Sequence, residues 1–205
     1  MCIRDRDRIE QFSIIADDVG NILRFISIGT CLPLVIAILY AEWNMILPMA
    51  TVPVTLFLLG TLLVRMPSTS RDARLSQALF AVALIWLICS IVGALPFTLG
   101  AGMPYLDAVF EAMSGWTDTG LTLMPSVDDT PHTLLFWRSL MQWLGGLGIV
   151  AFTISMATRS GITPSRLYRS EGRTEAFMPS VVATGLQMWK IYIILTVISI
   201  ALIKL

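Results

Sequence analysis

The sequence has few charged side chains: 14% of its 205 residues are Asp, Glu, Lys or Arg, whereas 56% are hydrophobic. Soluble domains carry about 25% charged residues, so this chain lacks the polar groups to cover a water-facing surface. That deficit excludes an ordinary cytosolic enzyme. Several apolar runs approach the roughly 20 residues that a helix needs to cross a hydrocarbon core. The lipid bilayer is therefore the expected solvent.

Residues that usually perform chemistry are also scarce. The chain has one histidine, and its three cysteines (Cys2, Cys31 and Cys89) show no CxxC or metal-ligand spacing. A thiol within an apolar run behaves as a small hydrophobe, so we expect the cysteines only to pack. The 14 basic residues balance the 14 acidic ones, and nothing indicates binding to nucleic acid or an organic cofactor.

The apolar residues fall into five long runs separated by short polar segments. The runs cover 25–41, 45–64, 75–99, 134–158 and 181–205. Between the third and fourth lies a shorter apolar run, 105–113, which contains Asp107 and Glu111 and is followed by a segment rich in glycine and threonine, 114–122. A short helix with an irregular strand between two spans is typical of a re-entrant element.

The charged residues segregate along the chain. Eleven of the 14 Lys and Arg residues lie in segments 1–24, 65–74 and 159–180, and such residues accumulate in cytoplasmic loops. Segments 42–44 and 100–133 have none, but contain six acidic residues: Glu42, Asp107, Glu111, Asp118, Asp128 and Asp129. This pattern predicts a cytoplasmic N-terminus and an acidic outer face that concentrates cations. An ordinary solvated loop is the alternative for each carboxylate.

Four residues of the re-entrant element, Thr117, Asp118, Thr119 and Gly120, form its most irregular part. Unpaired carbonyl groups in lipid each cost several kcal/mol, so non-helical backbone at membrane depth needs a compensating interaction. Successive carbonyl oxygens can replace the water shell of a monovalent cation. A helix ending just before them points its partly negative end toward that cation. A simple turn is the alternative, because Thr and Gly form turns readily.

Four blocks of sequence resemble a known family. LDAVFEAMSGWTDTGLT at 106–122 and LFWRSLMQWLGGLGI at 135–149 resemble the first pore loop and the following helix of the TrkH/KtrB potassium-transport superfamily. LYRSE at 167–171 and MWKIYIILT at 188–196 resemble the connector and the start of the next unit in TrkH-type proteins. Agreement across several ordered segments is more specific than any single motif.

The resemblance implies an all-α polytopic membrane protein with a potassium-channel-like unit of membrane helix, pore loop and membrane helix. On this basis the chain divides into a cytoplasmic tail (1–24), an N-terminal transmembrane hairpin (25–64), the first unit (75–158, pore helix and filter at about 105–122), a cytoplasmic connector (159–180) and the truncated first helix of a second unit (181–205).

The resemblance also implies potassium uptake across the bacterial plasma membrane by a channel-like, pore-forming subunit, with K⁺ as the transported ion. Thr117, Asp118, Thr119 and Gly120 would bind K⁺, mainly through main-chain carbonyls, as the first of four filter strands. The implied partners are a second copy of the protein, membrane lipid and a cytoplasmic TrkA-type nucleotide-binding regulatory subunit. One filter strand leaves three quarters of the oxygens to be supplied elsewhere, so we expect an N-terminal fragment.

Single residues add narrower expectations. TrkH proteins commonly have threonine where this chain has Asp118, and we hypothesise that its carboxylate points away from the pore and accepts hydrogen bonds behind the filter. Arg138 is expected to snorkel or to brace the acidic loop, and His132 to lie at the surface. The glycine cluster Gly145, Gly146 and Gly148 is expected to allow close backbone packing, with a mobile hinge as the alternative.

Two other functions compete with the channel. One is a carrier that moves K⁺ or Na⁺ by alternating access through broken helices. The other is an intramembrane hydrolase with Ser114 as nucleophile and His132 as base. The hydrolase is disfavoured because the sequence Ala112-Met-Ser-Gly115 lacks the first glycine of the nucleophile elbow, and because no base is placed on a facing span.

Overall fold

The computed structural model of the chain describes residues 3–65, 75–159 and 181–203. Within these ranges the backbone forms eight α-helices and no β-strand. The helices are α1 (Ile3–Gly29), α2 (Leu32–Leu39), α3 (Trp43–Val64), α4 (Leu75–Gly93), α5 (Leu95–Ala101), α6 (Tyr105–Trp116), α7 (His132–Arg159) and α8 (Val181–Ile203). The chain divides into two compact units, Met1–Gly146 and Leu147–Leu205.

Three segments of the described residues are long and apolar enough to cross a membrane: Ile15–Leu39, Trp43–Val64 and Leu79–Ala101. Together with the all-helical backbone, they confirm the predicted all-α polytopic membrane fold. The predicted spans over 134–158 and 181–205 fall on α7 and α8. The connector predicted over 159–180, apart from Arg159, lies outside the described residues.

Helix α1 begins far earlier than the first apolar run at Phe25. The polar N-terminal sequence places Ala16, Val19 and Leu23 on one helical face, and all three are buried in the core of the first unit. Helix α1 crosses α3 where two glycines meet, because a Cβ on Gly20 would lie 2.7 Å from the Gly60 carbonyl oxygen. Small residues at such a crossing let two helix backbones approach closely. A hydropathy pattern alone does not predict that this polar N-terminal sequence forms a helix with one buried face.

The third span is broken at Ala94, between α4 and α5. Pro96 in the first turn of α5 has no N–H, and the Phe97 amide donates to the Ala94 carbonyl at 3.1 Å. The Gly93 carbonyl accepts instead from the Trp137 indole Nε1 of α7, at 3.0 Å. The Tyr105 hydroxyl of α6 donates to the Ile91 carbonyl at 3.0 Å. The broken span is thereby fixed to both α6 and α7.

In the second unit, α8 exposes most of its apolar side chains. Its described side chains from Gln187 to Ile203 are exposed or half-buried. This surface composition is that of a helix surrounded by lipid or by other apolar elements.

Candidate cation site

The predicted pore helix lies at α6, where a buried face packs on α4 and α5. Ala108, Glu111, Ala112 and Gly115 recur at helical spacing on that face. The helix starts directly after Pro104, whose carbonyl accepts from the Ala108 amide at 2.9 Å. The packing fixes where the C-terminal end of α6 points.

That C-terminal end closes in a Schellman motif. The Thr119 amide donates to the Ser114 carbonyl at 3.0 Å, and the Asp118 amide donates to the Gly115 carbonyl at 3.1 Å. These two bonds define the motif, whose first residue beyond the cap adopts a left-handed conformation. Asp118 occupies that position with φ of 54°. Glycine is usual there, and aspartate is among the residues that tolerate it best.

Four carbonyl groups in and just after this motif have no donor among the described residues. Among the described residues, no backbone or side-chain donor is bonded to the carbonyl oxygens of Thr117, Asp118, Thr119 or Gly120. Asp118, Thr119 and Gly120 are exposed, and Gly120 adopts φ of 78°. The hydroxyls of Thr117 and Thr119 lie 2.7 Å apart and brace the turn. The four predicted site residues thus form one continuous row of unsatisfied acceptors at the partly negative end of a helix.

A buried ion pair lies behind this segment. The Glu111 side chain is fully buried, and its Oε1 accepts from Arg138 Nε at 2.6 Å. Its other oxygen, Oε2, accepts from the Leu123 amide at 2.8 Å. The Leu121 carbonyl accepts from Ser114 Oγ at 2.7 Å and from Arg138 Nη2 at 3.4 Å. Polar groups from α6 and α7 therefore hold residues 121–123 just beyond the row of free carbonyls.

The structure corrects two sequence-based expectations. Asp118 does not accept hydrogen bonds behind the filter: its side chain is exposed, and no donor from the described residues reaches it. The buried acceptor is Glu111, which the sequence placed in the acidic outer mouth. The helical spacing of Glu111 with Ala108 and Gly115 was the available signal, because it puts the carboxylate on the apolar face of α6. Arg138 braces the loop, one of the two roles predicted for it.

Gly145 of α7 packs directly against the start of the segment. A Cβ at Gly145 would overlap the carbonyl oxygen of Trp116, the last residue of α6. The predicted close backbone approach is therefore present at this glycine. Around Gly148, no atom of the described residues lies within 4 Å of a Cβ position.

Glu42, between α2 and α3, caps the N-terminus of α7. Its Oε1 accepts from the His132 amide and its Oε2 from the Thr133 amide, both at 2.9 Å. Partial burial would raise the pKa of the Glu42 carboxyl, but the hydrogen bonds from Thr133 and His132 outweigh it and lower the pKa. The exposed His132 ring stacks on Tyr40 with centroids 4.3 Å apart. The predicted hairpin is thus tied to α7, the helix that follows the candidate segment.

Ser114 and His132, the residues that the alternative hydrolase function requires, contact other groups. Ser114 Oγ donates to the Leu121 carbonyl, whereas His132 Nδ1 lies 3.2 Å from Glu42 Oε1. The structure therefore does not pair the proposed nucleophile with the proposed base.

A cavity of about 630 Å³ opens between the end of α5 and the loop after the candidate site. Its lining includes Asp107, Met124, Asp129 and Phe97. Asp107 and Asp129 are exposed, so two acidic residues line this cavity on the predicted outer side.

Comparison with known proteins places these elements in one family. A family model described as TrkH, a cation transport protein, matches residues 49–204, which include α6, the candidate segment and α7. The chain belongs to the TrkH family. It is 37% identical over 188 residues to an uncharacterized cation transporter of Methanocaldococcus jannaschii, a match that covers 91% of this chain and 39% of that protein.

Two bacterial TrkH proteins also match. The Trk system potassium uptake protein TrkH of Escherichia coli K12 is 35% identical over 127 residues, covering 59% of this chain and 26% of that protein. The Halomonas elongata protein of the same name is 30% identical over 190 residues, covering 87% and 38%. This TrkH-family chain therefore spans less than half the length of these relatives. With its apolar helices, it is a multi-pass membrane protein.

Proposed function

We propose that this chain contributes to potassium uptake as part of the channel-like, pore-forming subunit of a Trk-type system. Residues 117–120 supply the first of four filter strands. The observation that supports this most directly is the row of four carbonyl groups without donors from the described residues, placed at the C-terminal end of α6.

A dehydrated cation compensates such carbonyl groups. Unpaired carbonyls at membrane depth each cost several kcal/mol, and K⁺ binds to rings of carbonyl oxygens that replace its water shell. The end of α6 adds a partial negative charge of roughly half an elementary charge. Asp107 and Asp129, exposed on the adjoining cavity, raise the local cation concentration.

The proposal extends to the cellular setting. The subunit lies in the plasma membrane, the bacterial inner membrane, with its N-terminus in the cytoplasm, as the distribution of basic residues indicates. It forms a homodimer and is regulated by a cytoplasmic TrkA-type nucleotide-binding subunit, as the family resemblance implies. Protease accessibility of an N-terminal tag in inside-out vesicles tests the orientation.

Uptake measurements with two glycine variants test the proposed site. Gly120 and Gly102 both have positive φ, 78° and 70°, and no atom of the described residues lies within 4 Å of a Cβ position at either. Alanine therefore imposes the same backbone strain at both, but only Gly120 lies in the row of carbonyls. The complete protein encoded by the gene is expressed in an Escherichia coli strain that lacks its own potassium uptake systems.

We expect Gly120→Ala to reduce the rate of potassium uptake at least tenfold and Gly102→Ala to retain most of it. Equal losses in both variants, at equal amounts of protein in the membrane, would contradict the assignment of the filter strand. No uptake by the unmodified protein would contradict the proposed function itself.

The break at Ala94 favours one alternative, a carrier with alternating access, because carriers often contain broken helices. Measurements of voltage-clamped current distinguish the carrier from the channel. A channel gives a current that keeps rising with driving force, whereas a carrier saturates.

A further inference from the structure

We infer that Glu111 and Arg138 are positioning residues that set the ion selectivity of the proposed filter strand, without contacting the ion. This inference rests on the proposed function. It concerns a buried pair that joins α6 and α7 behind the candidate site and holds the backbone where residues 117–120 end.

The geometry makes this pair a structural connection between the two helices and the strand. Glu111 is fully buried and uses both carboxylate oxygens, one for Arg138 Nε at 2.6 Å and one for the Leu123 amide at 2.8 Å. The Arg138 side chain is about one fifth exposed, at 21%, and its Nη2 also reaches the Leu121 carbonyl. Charge-assisted bonds of this length are stronger than neutral ones and fix direction as well as distance.

The strand is consequently held at both ends and free between them. The Schellman motif fixes Asp118 and Thr119 at the start. At the end, the ion pair holds Leu121 and Leu123, and the Ser114 hydroxyl adds a bond to the Leu121 carbonyl. Only Gly120, with φ of 78°, has neither kind of restraint. The spacing of the four carbonyls thus depends on where the ion pair holds the far end.

This arrangement links the pair to selectivity. Discrimination between K⁺ and Na⁺ depends on the number and position of the coordinating carbonyl groups. A shift of Leu121 and Leu123 moves the carbonyls of Thr119 and Gly120 relative to those of Thr117 and Asp118. Selectivity should then change even though neither charged side chain lies in the row of acceptors.

The test compares Arg138→Gln, Glu111→Gln and the double variant in the complete protein, measured as the ratio of K⁺ to Na⁺ permeability in proteoliposomes. Arg138→Gln leaves the buried carboxylate without its cation, so we expect the ratio to fall at least tenfold. Glu111→Gln retains an acceptor for the Leu123 amide and should have a smaller effect.

The double variant should have a higher ratio than Arg138→Gln alone, because it removes the uncompensated charge and keeps the acceptor. Ser139→Ala is the matched control: its hydroxyl is exposed and bonds only within α7, to the Leu135 carbonyl at 3.0 Å, so the ratio should stay unchanged.

A permeability ratio is independent of the amount of protein inserted, which separates positioning from loss of folding. An unchanged ratio in Arg138→Gln, or effects that simply add in the double variant, would overturn the inference while leaving the proposed function intact. If the unmodified protein does not transport K⁺, the proposed function fails. Hydrogen exchange at the Leu123 amide then decides the positioning role, since Glu111→Ala should abolish its protection and unchanged protection would refute it.

Discussion

At Asp118 the backbone adopts a conformation that usually belongs to glycine. The left-handed region costs an ordinary L-residue about 1–2 kcal/mol, because Cβ approaches the carbonyl oxygen. The Schellman motif imposes this conformation through the amides of Asp118 and Thr119. The Asp118 side chain is exposed. The left-handed backbone conformation of the turn therefore explains an aspartate at this position, and a hydrogen bond from a buried donor does not.

We therefore predict opposite effects for two substitutions at this position. Asp118→Gly should raise the stability by about 1 kcal/mol, and Asp118→Val should lower it by about 1–2 kcal/mol, since a β-branched residue tolerates positive φ least. Asp118→Asn removes the charge alone and should change stability little. Thermal unfolding of the purified protein in detergent measures all three. Equal midpoints for the glycine and valine variants would show that Asp118 is not held in the left-handed region.

Two neighbouring indoles offer a second comparison. Trp116 and Trp137 pack edge to face with centroids 6.1 Å apart, and both are buried. The Trp137 Nε1 donates to the Gly93 carbonyl, whereas the Trp116 Nε1 has no partner among the described residues. The two side chains are alike in size and differ in hydrogen bonding.

Phenylalanine at each position should separate packing from hydrogen bonding. Trp137→Phe leaves the Gly93 carbonyl unpaired at the break of the third span, and should destabilise the protein by about 1 kcal/mol more than Trp116→Phe. Trp116→Phe loses only packing and removes an unsatisfied donor. Denaturation midpoints of the two variants, measured side by side, give the difference. A Trp116 variant that is the less stable of the two would contradict the assigned bond.

At the scale of elements, α7 receives its cap from a residue 90 positions earlier in the chain. Glu42 accepts from the amides of His132 and Thr133, which are orphan donors at a helix N-terminus. A carboxylate there also interacts favourably with the helix dipole. The cap therefore couples the N-terminal hairpin to the helix that supplies Arg138 and Gly145.

This cap predicts a pH dependence of stability. A carboxyl whose pKa is lower in the folded state stabilises the protein above its unfolded value, near 4.3, and loses that contribution as the pH falls through the lower folded value. At pH 7, Glu42→Ala should cost about 1 kcal/mol, the usual value of a cap. The difference from the unmodified protein should shrink toward pH 3. Unfolding midpoints measured from pH 7 to pH 3 test this, and a difference that does not depend on pH would contradict it.

The elements could be predicted to different extents. The structure has a helix at Tyr105–Trp116, where the sequence indicated one at about 105–115, because turn residues bracket a short apolar run. The tertiary polar contacts could not be predicted in the same way. Glu111 and Arg138 are 27 residues apart, and Glu42 and His132 are 90 apart. Hydropathy assigns such carboxylates to solvated loops, because it does not represent the donors that folding brings to them.

At the scale of the molecule, two contacts of the first unit share one arrangement, in which a glycine lies against the backbone of a neighbouring helix. Gly20 and Gly60 bring α1 onto α3, and Gly145 brings α7 onto the end of α6. The predicted hairpin and the predicted re-entrant unit each contain a glycine contact of this kind, and Glu42 joins them on the predicted outer side. The candidate strand is thus positioned by contacts from α6 and α7, although its own residues bury little surface.

The number of filter strands leads to a prediction for the isolated 205-residue chain. Within its described residues the chain supplies one predicted filter strand, residues 117–120, whereas a potassium filter surrounds the ion with strands from four loops. A single strand leaves most of the water shell of K⁺ unreplaced, so the transfer of K⁺ from water into the membrane remains costly in free energy. We expect the purified chain in liposomes to give no potassium-selective flux, measured with a fluorescent indicator and with valinomycin as the positive control. Potassium-selective flux from this chain alone would mean that several copies assemble their strands around one pore, and cross-linking in the same liposomes would then reveal the number of copies.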